Sequence, residues 1–249
     1  MSKMLLSVNL VTSLIIGFNY NFSTYINPLH NCINDAHSYS NIFKKEEIIT
    51  DDKFTVVFQK HRLTKKYFET KFDNMLAKKT KTGNIKILTF SGHGDFNIAE
   101  RYESIIFPTC EEFTDKDFDR VIRKYNDYKL ICIFDSCFSG SILNLPYVYE
   151  VKLNMFITKY RTNYKKYNNV KIIQLSSCQD YKISREVPSL HKHGLFTENL
   201  ITYLEDNKDK TITYEHVLRH LHRQMIPYRQ HPVMSSTEPL DLNKEFLTF

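Results

Sequence analysis

The chain has 249 residues, 42% of them apolar and 25% charged, which is ordinary for a globular protein and enough for a core, as one large α/β domain or two small ones. No apolar run approaches the roughly 18 residues that span a membrane, so a helical membrane protein is excluded, and the formal charge of +6 is modest. Five cysteines (Cys32, Cys110, Cys132, Cys137 and Cys178) are scattered, odd in number and without a Cys-x-x-Cys pair, which argues against a disulfide framework or a four-thiolate zinc site and for a reducing, cytoplasmic setting.

The first stretch, "MSKMLLSVNLVTSLIIGF", puts Lys3 ahead of apolar residues, as a secretory signal does. Asn9, Thr12 and Ser13 interrupt it and no Ala-x-Ala-like cleavage site follows, so it reads as a buried first strand over 13–18. Residues 33–44 are helix-like and 48–50 a short strand. Over 63–79, Leu63, Tyr67, Phe68, Phe72, Met75 and Leu76 fall at helical spacing and predict an amphipathic helix. Residues 85–91 are apolar and β-rich and end in Gly92-His93-Gly94. A helix over 115–125 has Thr114 as its N-cap, and the apolar run 130–134 is a further strand. Beyond it lie a strand over 170–176, a helix over 195–204 opened by Gly194, a helix over 214–225 capped by Thr213, and a last strand over 233–236. This alternation predicts a mainly parallel sheet flanked by helices.

Between the last two groups, Lys152, Lys159, Arg161, Lys165, Lys166 and Lys171 meet no acid over 151–171, and Tyr160, Tyr164 and Tyr167 are interleaved. Cations and aromatics together are the chemistry of a nucleic-acid patch. A solvated surface linker is the reading we prefer, since charge runs usually face water. His216, His220 and His222 share one predicted helix, but no acid between them supplies a metalloprotease pattern, so they read as a polar helix face rather than a metal site.

Parallel sheets carry their chemistry at the carboxyl ends of strands. "ILTFSGHGD" delivers His93 between two glycines, and "ICIFDSCFSG" delivers Cys137 before a turn of small residues. A thiol attacks a carbonyl carbon as the thiolate, and a neighbouring histidine takes its proton and later returns it to the leaving amine. The amides of Gly94 and Cys137 are candidate donors to the developing oxyanion, and the small residues after Cys137 are expected to leave room for substrate.

Six ordered segments resemble the metacaspases, a branch of the caspase-like cysteine peptidases: "SLIIGFNY", "NCINDAHS", "TFSGHG", "DSCFSG", "LSSCQD" with "HGLFT", and "HPVMSSTEPLDLNKEF". The resemblance covers essentially the whole chain. It implies an α/β fold, a caspase-like three-layer α/β/α sandwich with a mainly parallel central sheet, as one catalytic domain over 1–249. That domain would comprise a large-subunit-like part (1–150), a basic linker (151–169) and a small-subunit-like part (170–249). It implies a cysteine endopeptidase with Cys137 as nucleophile and His93 as general base and acid. By the same resemblance Cys32, Asp35, Ser91 and Asp135 line an acidic pocket, and two carboxylates there favour Arg or Lys before the cleaved bond. Protein or peptide substrates, a monomer and self-cleavage in the basic linker follow as expectations, with neither a membrane nor a nucleic acid as partner.

Three departures from the family pattern bear on this. The loop after His93, "GDFNIAERYESIIFP", keeps only Asp95, Glu100 and Glu103 as acids, whereas calcium takes six to eight oxygens. No cofactor is therefore expected, calcium included. Phe138 stands where the family usually has His after the nucleophile, and no zinc-finger or proline-rich N-terminal arm is expected. The shortened loop and Phe138 keep open an alternative, a caspase-fold regulatory or binding protein with little or no protease activity.

Overall fold

The computed structural model describes residues 11–21, 23–43, 47–51, 63–79, 84–153, 155–162, 164, 166–179 and 192–248. The lysine-led start considered as a signal, Lys44 at the end of the first predicted helix, and Lys165 of the basic stretch lie outside the described residues.

The chain runs β1 (Val11–Gly17), α1 (Cys32–Ile42), β2 (Glu47–Thr50), α2 (Lys65–Ala77), β3 (Ile85–Ser91), β4 (Gly94–Asn97), β5 (Tyr102–Ile106), β6 (Glu112–Thr114), α3 (Asp115–Ile122), β7 (Tyr128–Asp135), β8 (Tyr147–Lys152), β9 (Met155–Tyr160), β10 (Val170–Ser176), α4 (Leu195–Asp206), α5 (Tyr214–Met225) and β11 (Val233–Ser236). Eight strands form one sheet in the order β2-β1-β3-β7-β10-β11-β8-β9. Neighbours from β2 to β10 pair in parallel. The remaining pairs, β10–β11, β11–β8 and β8–β9, are antiparallel. The sheet is thus mixed, with the predicted parallel half carrying the helical crossovers.

The continuous apolar runs explain why both faces are covered. Along β7, Leu130, Cys132 and Phe134 pack to one side with α2 and α3, while Ile131 and Ile133 pack to the other with α1, α4 and α5. The same alternation splits Leu14 and Ile16 from Ile15 on β1, and Leu88 and Phe90 from Ile87 on β3. A strand buried on both faces needs apolar residues at every position, so it reads as a run and not as an alternation. The predicted caps also form. Thr114 accepts from the Asp117 amide at 3.2 Å and closes a capping box on α3, and Thr213 does the same with His216 on α5.

Two regions differ from the sequence reading. Residues 94–114 fold as a small antiparallel sheet, β4-β5-β6, where a short loop was expected. Its strands are too short for a pattern of period two to stand out, yet Ile105, Phe107 and Phe113 are fully buried beneath it. The stretch 151–169, expected as a surface linker, supplies the end of β8 and all of β9. Tyr149 and Val151 drive it inward beneath α5, and the Arg219 guanidinium lies 4.2 Å from the Phe156 ring. The basic residues find acids outside their own stretch. Lys159 pairs with Glu150 across the hairpin at 2.8 Å, and Lys171 with Glu238 at 2.8 Å. Tyr160 meets Tyr164 and Tyr147 edge-to-face, at 5.5 and 5.2 Å on either side.

One aromatic cluster joins the elements on the α2 and α3 face. The Phe118 ring of α3 meets Phe113 edge-on at 4.7 Å, Phe72 at 5.7 Å and Phe134 of β7 at 5.9 Å. Phe118→Ala is expected to destabilise the fold by about 3–5 kcal/mol, the usual cost of emptying a buried aromatic site. Urea denaturation checks this, as a lowered midpoint with an unchanged slope.

Candidate active site

Strands β1, β3, β7 and β10 all end on one edge of the sheet, and their register sets what meets there. β3 and β7 pair residue for residue from Ile85↔Lys129 to Ser91↔Asp135. The Gly92 amide still donates to the Asp135 carbonyl at 3.2 Å, and then the two strands part. His93 and Cys137 each stand two residues past that last pair. The backbones touch here: a Cβ on Gly94 would lie 2.2 Å from the Cys137 carbonyl oxygen, so only glycine fits.

His93 is half-buried and held from both sides. Its amide donates to the Tyr20 hydroxyl at 2.7 Å, and that hydroxyl donates to the Ile106 carbonyl at 2.8 Å. The Tyr20 and His93 rings lie 4.6 Å apart. Burial pushes the Tyr20 phenol well above its ordinary range, with Cys32 adding to it, so the hydroxyl keeps its proton. The His93 Nε2 atom is 2.8 Å from the Asn27 carbonyl oxygen. A carbonyl only accepts, so Nε2 carries the hydrogen in that contact, and in the neutral ring Nδ1 is the basic nitrogen.

Cys137 is half-buried at the start of a tight turn, and the next residue, Phe138, adopts the left-handed conformation (φ 52°). A bulky L-residue there carries strain of order 1–3 kcal/mol, which the surroundings must hold. They do so through backbone oxygens. The Ser136 carbonyl accepts from Ser139 Oγ at 2.9 Å, Ser177 Oγ at 3.2 Å and Cys178 Sγ at 3.3 Å. The buried Gln174 amide donates to the carbonyls of Ser139 (2.8 Å) and Gly140 (3.2 Å) and accepts from the Leu143 amide at 3.2 Å. Ser141 Oγ donates to the buried carboxylate of Glu103 on β5. The small residues after Cys137 therefore do not line open space for substrate, as the sequence suggested. Their size lets the turn fold inward and be pinned. Glu103, counted among the acids left for calcium, faces this turn.

Cys137 stands apart from the other four thiols. Burial raises Cys132 well above the ordinary thiol range and pushes Cys178 up to about 12. Cys32 is buried at the start of α1, and Cys110 is exposed on a turn, also at positive φ (65°).

The four residues named for the acidic pocket divide. Asp35 on α1, Ser91 at the end of β3 and Asp135 at the end of β7 come together, with Asp35 fully buried and Asp135 6% exposed. Ser91 Oγ donates to Asp35 Oδ2 at 2.5 Å. Thr197 on α4 gives Asp135 Oδ2 both its amide, at 3.2 Å, and its hydroxyl, at 2.8 Å. The Gly194 amide donates to Asp35 Oδ1 at 3.0 Å, and a Cβ at Gly194 would strike Asp135 Oδ2 at 2.6 Å. Cys32 lies one turn before Asp35 on α1, with its backbone packed on Gly17 and its thiol near Tyr20.

A fifth residue, absent from the sequence reading, belongs to this cluster: His193, whose Nδ1 is 3.2 Å from Asp35 Oδ1. Burial pushes the Asp35 carboxyl up, against the hydrogen bonds of His193, Ser91 and Gly194. The Asp35 hydrogen bond in turn holds His193 above the ordinary histidine range, against partial burial. Each group, when charged, favours the charged form of the other.

Among the described residues no group of three His, Cys, Asp or Glu side chains is gathered to hold a metal ion. The predicted histidine face on α5 has structural partners instead. His216 Nδ1 accepts from the Thr213 amide in the capping box, and His220 stacks on Tyr203 at 4.2 Å. No described helix is long and apolar enough to cross a membrane.

Tyr20, Asn27 and Gln174 were missed for a common reason. Each acts through hydrogen bonds to residues distant in sequence, which no local spacing announces. Tyr20→Phe is expected to leave the His93 amide and the Ile106 carbonyl without their partner, at a cost of about 1–3 kcal/mol. The measurement is the urea midpoint, compared with that of a surface Tyr→Phe control at Tyr25.

A family model described as the caspase domain, peptidase C14, matches residues 12–243. Metacaspase-1 of Plasmodium falciparum is 26% identical over 94% of this chain, which spans 41% of that relative's length. Metacaspase-5 of Trypanosoma cruzi is 24% identical over 96% of the chain and 60% of its own length. The crystal structure of a Geobacter sulfurreducens protein superposes with a TM-score of 0.67 at 18% identity, covering 96% of this chain and 98% of that one.

Proposed function

Because the chain belongs to the caspase domain family, we propose that it is a metacaspase-like cysteine endopeptidase that cleaves after Arg or Lys through Cys137 and His93. One observation carries the dyad. It is supported by the Ser91↔Asp135 register, past which His93 and Cys137 each stand two residues on adjacent parallel strands, with Gly94 packed on the Cys137 carbonyl.

In this reading His93 Nδ1 takes the proton from the Cys137 thiol, while Nε2–H stays on the Asn27 carbonyl and steadies the imidazolium. The thiolate attacks the scissile carbonyl, and the oxyanion takes the amides of Gly94 and Cys137. One such donor is typically worth about 10²–10³ in rate. The imidazolium then protonates the leaving amine, and water, activated by the same nitrogen, frees the acyl group. Asp35 and Asp135 supply the negative charge for the basic side chain before the bond, with Ser91 beside them. No step needs a metal.

The same specificity turned inward makes the basic stretch 151–171 a substrate. Lys152 ends β8 at the tip of its hairpin, ahead of Leu153, which is 91% exposed, and is the point we assign to self-cleavage. β7 pairs with β10 and β8 with β11 in one sheet, so the two pieces would stay together.

Fluorogenic peptides ending in Arg, Lys or Asp, assayed with and without calcium, test the reading. Cleavage of the Arg and Lys peptides alone is expected, unchanged by calcium. Cys137→Ala should abolish it, and His93→Ala should lower kcat/KM by about 10²–10⁴. Intact-mass analysis of wild type and Cys137→Ala should show a cut after Lys152 in wild type only. A well-folded protein that cleaves none of the three peptides would favour the regulatory reading of the fold.

A further inference from the structure

The two acids proposed to select a basic side chain are already served by the protein itself. Asp135 takes both donors of Thr197, and Asp35 takes Ser91, the Gly194 amide and His193. Neutral donors satisfy hydrogen-bonding capacity but leave charge uncompensated. His193 is different, because it is the one cation among those partners.

Its position is built. Asn31 Nδ2 on the α1 N-cap donates to the His193 carbonyl at 3.2 Å, and Asn34 Nδ2 donates to the Lys192 carbonyl at 2.9 Å. With the Gly194 amide on Asp35, three consecutive residues are laid across the first turn of α1, just before α4 begins at Leu195. The imidazole rests on Asp35 through Nδ1 and faces Ser38 Oγ at 3.4 Å through Nε2. From α4, Glu198 Oε2 lies 3.9 Å from Nε2, and Glu205 adds its charge from farther along the helix. Asp135 of β7 stands behind Gly194. The His193 side chain is 18% exposed, whereas that of Asp35 is 1% exposed, so the ring forms the solvent side of the pair.

We infer that His193 is an internal occupant of the acidic pocket: charged, it holds the place of a substrate's lysine or arginine, and neutral, it yields that place. This rests on the reading of Asp35 and Asp135 as the basic-specificity pocket. The charge count makes the point. Charging the imidazole adds one positive unit beside the carboxylates that an incoming cation must meet, and losing the proton removes that unit. An incoming guanidinium also meets like charge at close range, in surroundings where Coulomb energy is only weakly screened. Proton and substrate side chain therefore compete for one carboxylate pair. His193 is thereby a specificity-determining residue, and the preference for basic over uncharged side chains grows as pH rises through its titration.

The sign follows from linkage. Asp35 raises the proton affinity of His193, so the ring is charged below that raised value and neutral above it. Binding that expels the proton weakens by up to about tenfold for each pH unit below it. Binding of an uncharged side chain expels nothing and stays flat.

Two acetylated tetrapeptide amides, identical but for a final Arg or norleucine, are titrated against Cys137→Ala protein from pH 5.5 to 8.5, with and without His193→Gln. The Arg peptide should bind up to about tenfold more weakly per pH unit on the acid side. His193→Gln should abolish that rise, and the norleucine peptide should show none. Arg binding tighter than norleucine at every pH, with a profile His193→Gln leaves unchanged, would overturn the inference while the basic-pocket reading stands. Equal binding of both peptides throughout would overturn the two together. A readout free of the His193 variant is the His193 imidazole titration by NMR in Cys137→Ala protein. Saturation with the Arg peptide should lower its midpoint, and an unmoved midpoint contradicts the inference.

Discussion

The parallel pairing of β3 with β7 is the constraint on which the site depends. Seven residue pairs run to Ser91↔Asp135, and everything with chemistry lies at or just beyond that last pair. A slip of one residue would do two things at once. It would turn Leu88 and Phe90 toward the α1 side and Ile87 toward the α2 side, exchanging two filled cores. It would also move His93 by one residue relative to Cys137. The hydrophobic alternation that fixes the fold therefore also fixes how far His93 and Cys137 stand beyond the last paired residues. This economy is open to a parallel sheet buried on both faces, where every strand position is already committed.

Beyond the last pair the chain has no ladder to hold it, and the site is finished by single hydrogen bonds from distant segments. Tyr20 carries the His93 amide, Gln174 carries the turn after Cys137, and Ser177 and Cys178 hold the Ser136 carbonyl. These come from the ends of β1 and β10, the strands flanking β3 and β7. The strain at Phe138 makes such anchoring necessary, since a relaxed turn would carry the thiol elsewhere. Three donors on one carbonyl and four contacts from one glutamine are how a short polar segment is kept rigid in a buried place.

The strands, the amphipathic helices and their caps were legible because they repeat a period or obey a local rule. The positions of His93 and Cys137 were legible too, because both follow apolar runs that could only be buried strands. What the sequence hid has two physical origins. Short antiparallel strands such as β4 to β6 have too few residues for a pattern, and the β8–β9 hairpin was masked by its charges. The acid-free run 151–171 looked solvated because its acids, Glu150 and Glu238, lie outside it in sequence and beside it in space. His193 was hidden in the same way, 158 residues from Asp35, and only the seating of the α4 start against α1 brings the two together.

That seating also explains why two buried carboxylates persist side by side. Desolvating an ionised carboxyl is costly, and two in one place repel. Each has been given donors of its own: Thr197 at the first turn of α4 for Asp135, and Ser91 with the Gly194 amide for Asp35. The N-terminal end of α4 points at the pair and adds its own favourable dipole. Gly194 must be glycine because any side chain there would enter the space between the two acids. A titratable partner is the one kind of group that can supply a unit of positive charge at one pH and withdraw it at another. A lysine or arginine in place of His193 would close the cluster at every physiological pH, and a neutral residue would leave it charged at every pH. The chain carries the intermediate choice at the single position where backbone anchors hold it against Asp35.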